Sequence, residues 1–466
     1  MFFKDFRDYL DNLEKNGLLL RVKKEIDPKY EIAAGIRKIS DTNGPALLFE
    51  NVKGYPGWRV VGGLFGTQKL MAYALQCEDD EKKLLERHLD FYQNPKYIKP
   101  VAVPTGPVKE IIIKGDDIDL TKLPAPTYCE YDVGPYLTAG IDIGKHPVTG
   151  TQNCSIMRRM IIGKDKTSIL SQTPGMRDMI SAAEAQGKGL GIATVLGPHP
   201  AATIASQIQA PLGIDEMEIA GAIRGKPIEV VKCETIDVNV PSDAEMVIEG
   251  VTVPGERVAD GPFGEYPGNY VSLTNYHTSA GKSTYNCPLI KVTAITMRKN
   301  AIFHAMLTGM PMTEDHWLSR WSITANIHRT VLQSLPHPDD LRGVYLTHSG
   351  MGHYHVVIGV KKRTESTARN IIYPILARHW GVGLVTVVDE DINIYDSEQV
   401  EWAVSSRVRP DRDVIIIQPV QPAPESVSNI PIYEYKWGID ATAPMTKEPY
   451  LYKRAVPPGV DKVDYV

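Results

Sequence analysis

Between Pro100 and Ile302 the chain strings together β-branched or alternating apolar runs separated by glycine and proline. Ile111–Ile113, Cys154–Ile162, Ile192–Leu196, Ile228–Cys233 and Leu289–Met297 all read as strands. Only two helical patterns interrupt them, near Arg177–Gln186 and Glu216–Ile223. The alternative is a βαβ sheet. It would set a helix between successive strands, and most neighbours here lack one, so a mainly β domain is expected.

The flanking text has a different rhythm. In residues 1–115, Phe6, Leu10 and Leu13 recur at helical spacing and Gly17 stops that helix. Leu18–Val22, Ala46–Phe49 and Arg59–Gly63 read as strands, Gly54–Gly57 as a turn, and Asp79–Asn94 as a polar helix. Beyond Met312, helices at Leu318–Leu335, Ala368–His379 and Asp396–Ser405 alternate with strands at Val344–Thr347, Tyr354–Lys361 and Gly383–Val388. That alternation is an α/β unit. The tail from Pro422, rich in proline and tyrosine, is expected to wrap a surface or a partner subunit. With 466 residues, two or three domains are expected, and the breaks divide the chain into 1–115, 116–310 and 311–466.

Charge and cysteines narrow the partners. Lys and Arg number 51 against 56 Asp and Glu, a net charge of −5, with no basic stripe interleaved with aromatics, so neither nucleic acid nor membrane is expected. The N-terminus breaks its apolar residues with charges, unlike a signal peptide, and no apolar run approaches the ~18 residues of a membrane span. Cys77, Cys129, Cys154, Cys233 and Cys287 are scattered, with no Cys-x-x-Cys, which fits reduced thiols in a cytoplasm.

Three short segments could carry chemistry. In Asp260-Gly-Pro-Phe-Gly-Glu265, two carboxylates flank a stiff turn, since Pro262 fixes its φ and the glycines open conformations closed to other residues. Paired carboxyls on a rigid loop can be driven to different pKa values, leaving one as a proton donor; the bland reading is a turn with solvated acids. In Asn153-Cys-Ser-Ile-Met-Arg158, a strand puts Arg158 on the face of Cys154 and Ile156. A cation there wants a carboxylate or phosphate, unless it snorkels to water from an edge strand. Glu234 ends the apolar strand Val230–Cys233; with Asn153 it supplies hard oxygen ligands suited to Mg²⁺ or Mn²⁺, or it is a solvated strand end.

Two further patterns are set aside. Gly187-Lys-Gly-Leu-Gly191 has its helix before and its strand after, the reverse of a dinucleotide loop, and reads as a helix C-terminal turn. His353 and His355 share a strand face without a third ligand nearby, and a polar strand face is expected there.

These segments, in this order, resemble the UbiD family of decarboxylases. The likeness also runs through Asp132–Tyr136, Pro198–Ala202, Gly221–Pro227, Val231–Thr235, Ala244–Gly250, Asp389–Asn393 and Lys436–Asp440. The resemblance implies a fold of mixed α+β and α/β type: a split β-barrel flavin-binding domain, a flanking N-terminal α/β segment and a C-terminal α/β oligomerisation domain. It implies prenylated FMN held by a divalent metal, usually Mn²⁺, with K⁺ nearby. The metal would bridge the cofactor phosphate to Asn153 and Glu234. Ser155, Ile156, Met157, Arg158, Leu170, Gln172 and Thr173 would line the cofactor. The family's acid–arginine–acid triad falls on Asp260, Arg158 and Glu265, with Glu265 the proton donor.

The chain departs from the family in three places. Asp260 stands where the longer Glu is commoner, Ser171–Gly175 lacks the histidine that serves some members as a third metal ligand, and no lysine for the cofactor phosphate occurs near Gly383–Val385. The implied activity is reversible, non-oxidative decarboxylation of an aromatic acid (phenolic by preference, heteroaromatic or polycyclic) or an α,β-unsaturated acid. The pocket would draw on Leu307–Pro311, His316 and Trp317. Expected partners are a flavin prenyltransferase as cofactor supplier and further copies of the chain, as a homodimer or homohexamer. An FMN-dependent oxidoreductase or flavin reductase on a similar barrel is the alternative enzyme, and a non-catalytic cofactor carrier the alternative outside catalysis.

Overall fold

The computed structural model describes residues 3–171, 173–210, 213–264, 285–309, 312–379, 381–418, 435–446 and 448–462. Gln172, Glu265, Met310, Pro311 and residues 422–434 of the tail lie outside them. Contacts divide the chain into two units, 1–322 and 323–466, and the division falls inside the helix Glu314–Ser334.

The first unit begins with the helix Phe6–Lys15, capped by the Asp5 carboxylate on the Asp8 amide at 2.9 Å. Its buried stripe is Phe6, Tyr9, Leu10 and Leu13, and Gly17 lies just beyond its end at φ +67°. A four-stranded sheet runs in the order Leu19–Val22, Ala46–Phe49, Arg59–Gly62 and Ile302–His304. Its last strand is supplied from beyond the β-rich section. Residues 1–115 therefore share a sheet with a strand whose Ile302 pairs with Arg59, 243 positions away along the chain.

Nine strands make the main sheet of this unit, every pairing antiparallel. The order is Tyr136–Leu137, Arg159–Ile162, Lys166–Ser168, Tyr285–Met297, Met246–Asp260, Gly191–Leu196, Ile141–Lys145 and Gln152–Ile156, with Ile111–Lys114 also on Tyr285–Met297. Gln152–Ile156 ends one side of this order, and Arg159–Ile162 lies next to the end of the other. Only Met157 and Arg158 join them. Three peptide steps reach at most ~11 Å, so the sheet curls until its two sides nearly meet. This curled sheet fits the expected split barrel, and no pairing among the described residues closes its path. Its core is continuous with that of the N-terminal segment, from Phe6 and Leu13 through Val195 and Ile248 to Phe303.

The longest strand, Met246–Asp260, was not legible as one. Its register shifts between Glu249 and Gly250 and again between Thr252 and Arg257, with Gly255 at φ +72°. These bulges break the alternation that marks a strand. The Gly187–Gly191 run closes the helix Pro174–Glu184 and leads into Gly191–Leu196, as its order of elements predicts.

The second unit carries a five-stranded sheet in the order Leu341–Leu346, His355–Val360, Leu384–Asp389, Lys436–Ala441 and Val414–Ile417. Its three central strands are mutually parallel. The helices Thr367–Arg378 and Ser397–Arg407 provide the crossovers, as α/β alternation requires. His353 lies in the turn before His355–Val360, and His355 Nε2 meets Thr386 Oγ1 at 3.0 Å.

Candidate active site

Arg158 sits in the two-residue break at the barrel seam, not within a strand as its spacing suggested. Leaving the strand turns it inward: its side chain is 4% exposed. The carboxylate it requires is Asp260, the last residue of the bulged strand. Arg158 donates to Asp260 Oδ1 from Nη2 at 3.0 Å and from Nε at 3.2 Å. Tyr136 donates to the same oxygen at 3.4 Å, and Ser168 donates to Oδ2 while accepting from the Met160 amide at 3.0 Å. Burial pushes the Tyr136 phenol well up, so it keeps the proton it donates. The guanidinium carbon also lies 4.9 Å from the centre of the Phe263 ring.

The residues after Asp260 are held from one side by the segment Tyr128–Tyr136. Asp132 Oδ2 accepts from the Tyr128 and Cys129 amides at 3.2 and 2.8 Å, and Oδ1 accepts from the Gly264 amide at 2.7 Å. The Val133 amide donates to the Pro262 carbonyl at 3.0 Å. Fully buried Phe263 packs against Tyr136 with ring centres 4.4 Å apart. Burial raises the Asp132 carboxyl, offset in part by the amides it accepts from. Gly261 adopts φ +109°, open only to glycine, and the Gly261–Pro262 peptide is cis. Glu265, the next residue after Gly264, lies outside the described residues.

Asn153 meets a different carboxylate from the one expected. Its Nδ2 donates to Glu216 Oε1 at 2.9 Å, and the Cys154 amide donates to Glu216 Oε2 at 2.9 Å. Glu234 is engaged elsewhere, accepting from Lys109 at 3.0 Å and Lys114 at 2.7 Å, while its own amide is bound by Glu249 at 2.7 Å. The expected Asn153–Glu234 pairing is thus corrected: the lysines neutralise Glu234 at its strand end, and the acid brought to Asn153 is Glu216. Glu216 opens the helix Glu216–Arg224 on its buried stripe, with Ile219, Ala220 and Ile223. A carboxylate on the apolar face of a helix was the signal available in sequence.

The Asn153–Glu216 pair fits a divalent cation. Asn153 Oδ1 is buried and has no hydrogen-bond partner among the described residues. Burial pushes the Glu216 carboxyl up to about 7, a cost that a bound cation would reverse. Among the described residues no three His, Cys, Asp or Glu cluster, so protein ligands would be few. Of the expected cofactor-lining residues, Ser155 Oγ lies 3.5 Å from Thr173 Oγ1, Met157 and Leu170 are buried, and Ile156 is half-buried. Thr173 stands at the N-terminus of the helix Pro174–Glu184, whose Gly175 approaches Asn153 so closely that a Cβ would meet Oδ1 at 3.1 Å. No helix among the described residues is long and apolar enough to cross a membrane.

Known proteins resemble the whole chain. Profiles of the 3-octaprenyl-4-hydroxybenzoate carboxy-lyase N-terminal, Rift-related and C-terminal domains match residues 10–87, 99–311 and 316–441. An uncharacterized protein of Archaeoglobus fulgidus is 32% identical, over 97% of this chain and 94% of that one. The UbiD-class enzyme HmfF of Pelotomaculum thermopropionicum, solved with FMN, is 39% identical over 99% of both chains, with a TM-score of 0.86. Its evolved dimeric form, solved with prFMN, is 38% identical with a TM-score of 0.83, again over 99% of both chains. The apo 3,4-dihydroxybenzoic acid decarboxylase of Enterobacter cloacae is 27% identical over 98% of this chain and 99% of that one, with a TM-score of 0.84. With three domains matched in order and likeness along its full length, the chain belongs to the UbiD family of carboxy-lyases.

Proposed function

We propose that this decarboxylase acts reversibly and non-oxidatively, in the cytoplasm, on an aromatic acid (phenolic, heteroaromatic or polycyclic) or an α,β-unsaturated carboxylic acid, with prenylated FMN. The observation that carries the proposal is the buried Arg158–Asp260 pair at the barrel seam. A guanidinium presents several N–H groups in one plane. Arg158 orients the substrate carboxylate, and Asp260, itself fixed by Ser168 and Tyr136, sets the plane of the guanidinium. Glu265 donates the proton to the carbon that loses CO₂, as a general acid.

Prenylated FMN, when bound, supplies the electron sink for the charge left by departing CO₂. Ser155, Ile156, Met157, Leu170, Gln172 and Thr173 would line its place, as the family likeness implies. Asn153 and Glu216 would hold a divalent cation, Mn²⁺ by preference, for the cofactor phosphate, and K⁺ is the further cation expected. Support for these two ligands comes from the orphaned Asn153 oxygen and the raised Glu216 carboxyl. The cofactor comes from a flavin prenyltransferase, and the enzyme works as a homodimer or homohexamer.

The test is the Glu265→Gln variant, co-expressed with a flavin prenyltransferase and assayed over a panel of acids by CO₂ release and by H/D exchange at the product carbon. Both rates should fall by about 100-fold or more, as loss of a general acid requires. Near wild-type CO₂ release would remove Glu265 from the role of donor.

A further inference from the structure

We propose that Asp132 is a positioning residue for the catalytic centre, a single carboxylate that staples the segment Tyr128–Tyr136 to the turn after Asp260. This rests on the functional reading above. Asp260 is placed by its strand only from behind, through its pairing with Tyr285. In front of it the chain turns through Gly261 at φ +109°, a glycine conformation with little preference of its own. What fixes that turn comes from residues 128–136. Asp132 folds its own loop by accepting from the Tyr128 and Cys129 amides, and its other oxygen reaches across to the Gly264 amide at 2.7 Å. Next to it, the Val133 amide holds the Pro262 carbonyl. At the end of the segment, Tyr136 touches both Phe263 and Asp260.

The staple therefore acts on both sides of the centre at once. It holds Phe263 under the Arg158 guanidinium, and it fixes Gly264, the residue joined by one peptide bond to Glu265. Asp132 touches neither Arg158 nor Asp260 in a described hydrogen bond; it acts through the main chain. The carboxylate is suited to this because three N–H donors converge on its two oxygens, which an amide cannot serve equally: one end of an asparagine would present N–H to N–H.

The test compares wild-type, Asp132→Asn and Asp132→Glu holoenzymes, each co-expressed with a flavin prenyltransferase. In Asp132→Asn, kcat should fall about 10- to 100-fold with KM within about threefold, since a displacement near 1 Å is costly in rate. Bound flavin and its absorbance spectrum should match wild type. Hydrogen exchange of peptides covering Gly261–Gly264 should accelerate at least tenfold, while peptides from Gly191–Leu196 keep their protection. Asp132→Glu, with its acceptor on a longer arm, should fall between the two in both kcat and local exchange. Wild-type kcat, or unchanged exchange at 261–264, overturns the proposal. So does exchange that rises throughout residues 3–322 with loss of flavin, because that marks a general structural role. If Asp132→Asn does not fold, the Asp132→Glu protein decides by the same two readouts. A wild-type holoenzyme that releases no CO₂ from any acid would count against the decarboxylase reading, while the exchange measurement, which needs no turnover, would still decide on the staple.

Discussion

Two buried carboxylates define the site, and their surroundings are opposite. Asp260 receives donors from Arg158, Ser168 and Tyr136 on both of its oxygens. Glu216 receives one amide N–H from the main chain and one from Asn153, whose own oxygen points at no described donor. The first acid is complete within the protein. Burial pushes the carboxyl of the second up to about 7. The contrast separates an acid whose oxygens are both engaged by side-chain donors from one beside an amide oxygen that has no partner among the described residues, the place proposed above for a cation.

The sharpest way to break that contrast is to remove Arg158. Arg158→Ala leaves Asp260 buried and uncompensated, so stability should drop by about 3–5 kcal/mol and decarboxylation should become undetectable. Denaturant unfolding and CO₂ release measure both. A stable, active Arg158→Ala protein would show that the pair is dispensable.

Next in size is the cation. Glu216→Gln should purify without stoichiometric divalent metal, whereas Glu234→Gln should retain it; elemental analysis of both decides which acid is the ligand. The pH dependence arises from the same carboxyl. Its folded pKa of about 7 lies above the ordinary 4.5, so in metal-free protein its contribution to stability is present below 4.5 and lost as pH rises through about 7. Full loss is on the order of 3 kcal/mol. Metal affinity should run the other way, weakening about tenfold per pH unit below 7 as the proton competes. Thermal melts of metal-free and metal-loaded protein between pH 5 and 8 would expose either trend.

Smaller effects refine the picture at Asp260. Ser168→Ala strips the donor from Oδ2, leaving that oxygen unsatisfied, and should cost about 1–3 kcal/mol in unfolding experiments together with a fall in kcat. Tyr136→Phe removes only the 3.4 Å contact, and about 0.5 kcal/mol is expected, with flavin binding unchanged. If Tyr136→Phe exceeded Ser168→Ala, the ranking of donors around Asp260 would have to be reversed.

Much of this molecule is legible in its residues. The β-rich middle, the amphipathic first helix and the α/β alternation of the C-terminal unit come from periodicity and glycine placement, since each element obeys one period over its length. Met246–Asp260 escapes because two bulges interrupt its period. Arg158 announces its need for an anion, but the partner lies 102 positions away, and pattern alone does not pair them; the family likeness did. The same likeness placed the metal acid on Glu234. Glu216 was visible as an acid on a buried helical face, and weighing that against the cost of burying charge would have preferred it.

The join at Met157–Arg158 has one more consequence. Two residues link opposite sides of the nine-stranded sheet, so the connection spans at most ~11 Å. An inserted residue there would shift Arg158 within the break and away from Asp260, whatever its side chain. The exposed hairpin at Thr149–Gly150, only a few residues earlier, can lengthen into solvent without that effect. Chain length, fixed to the single residue at one bend and free at the next, is thus as much a determinant of this centre as the acids and the arginine.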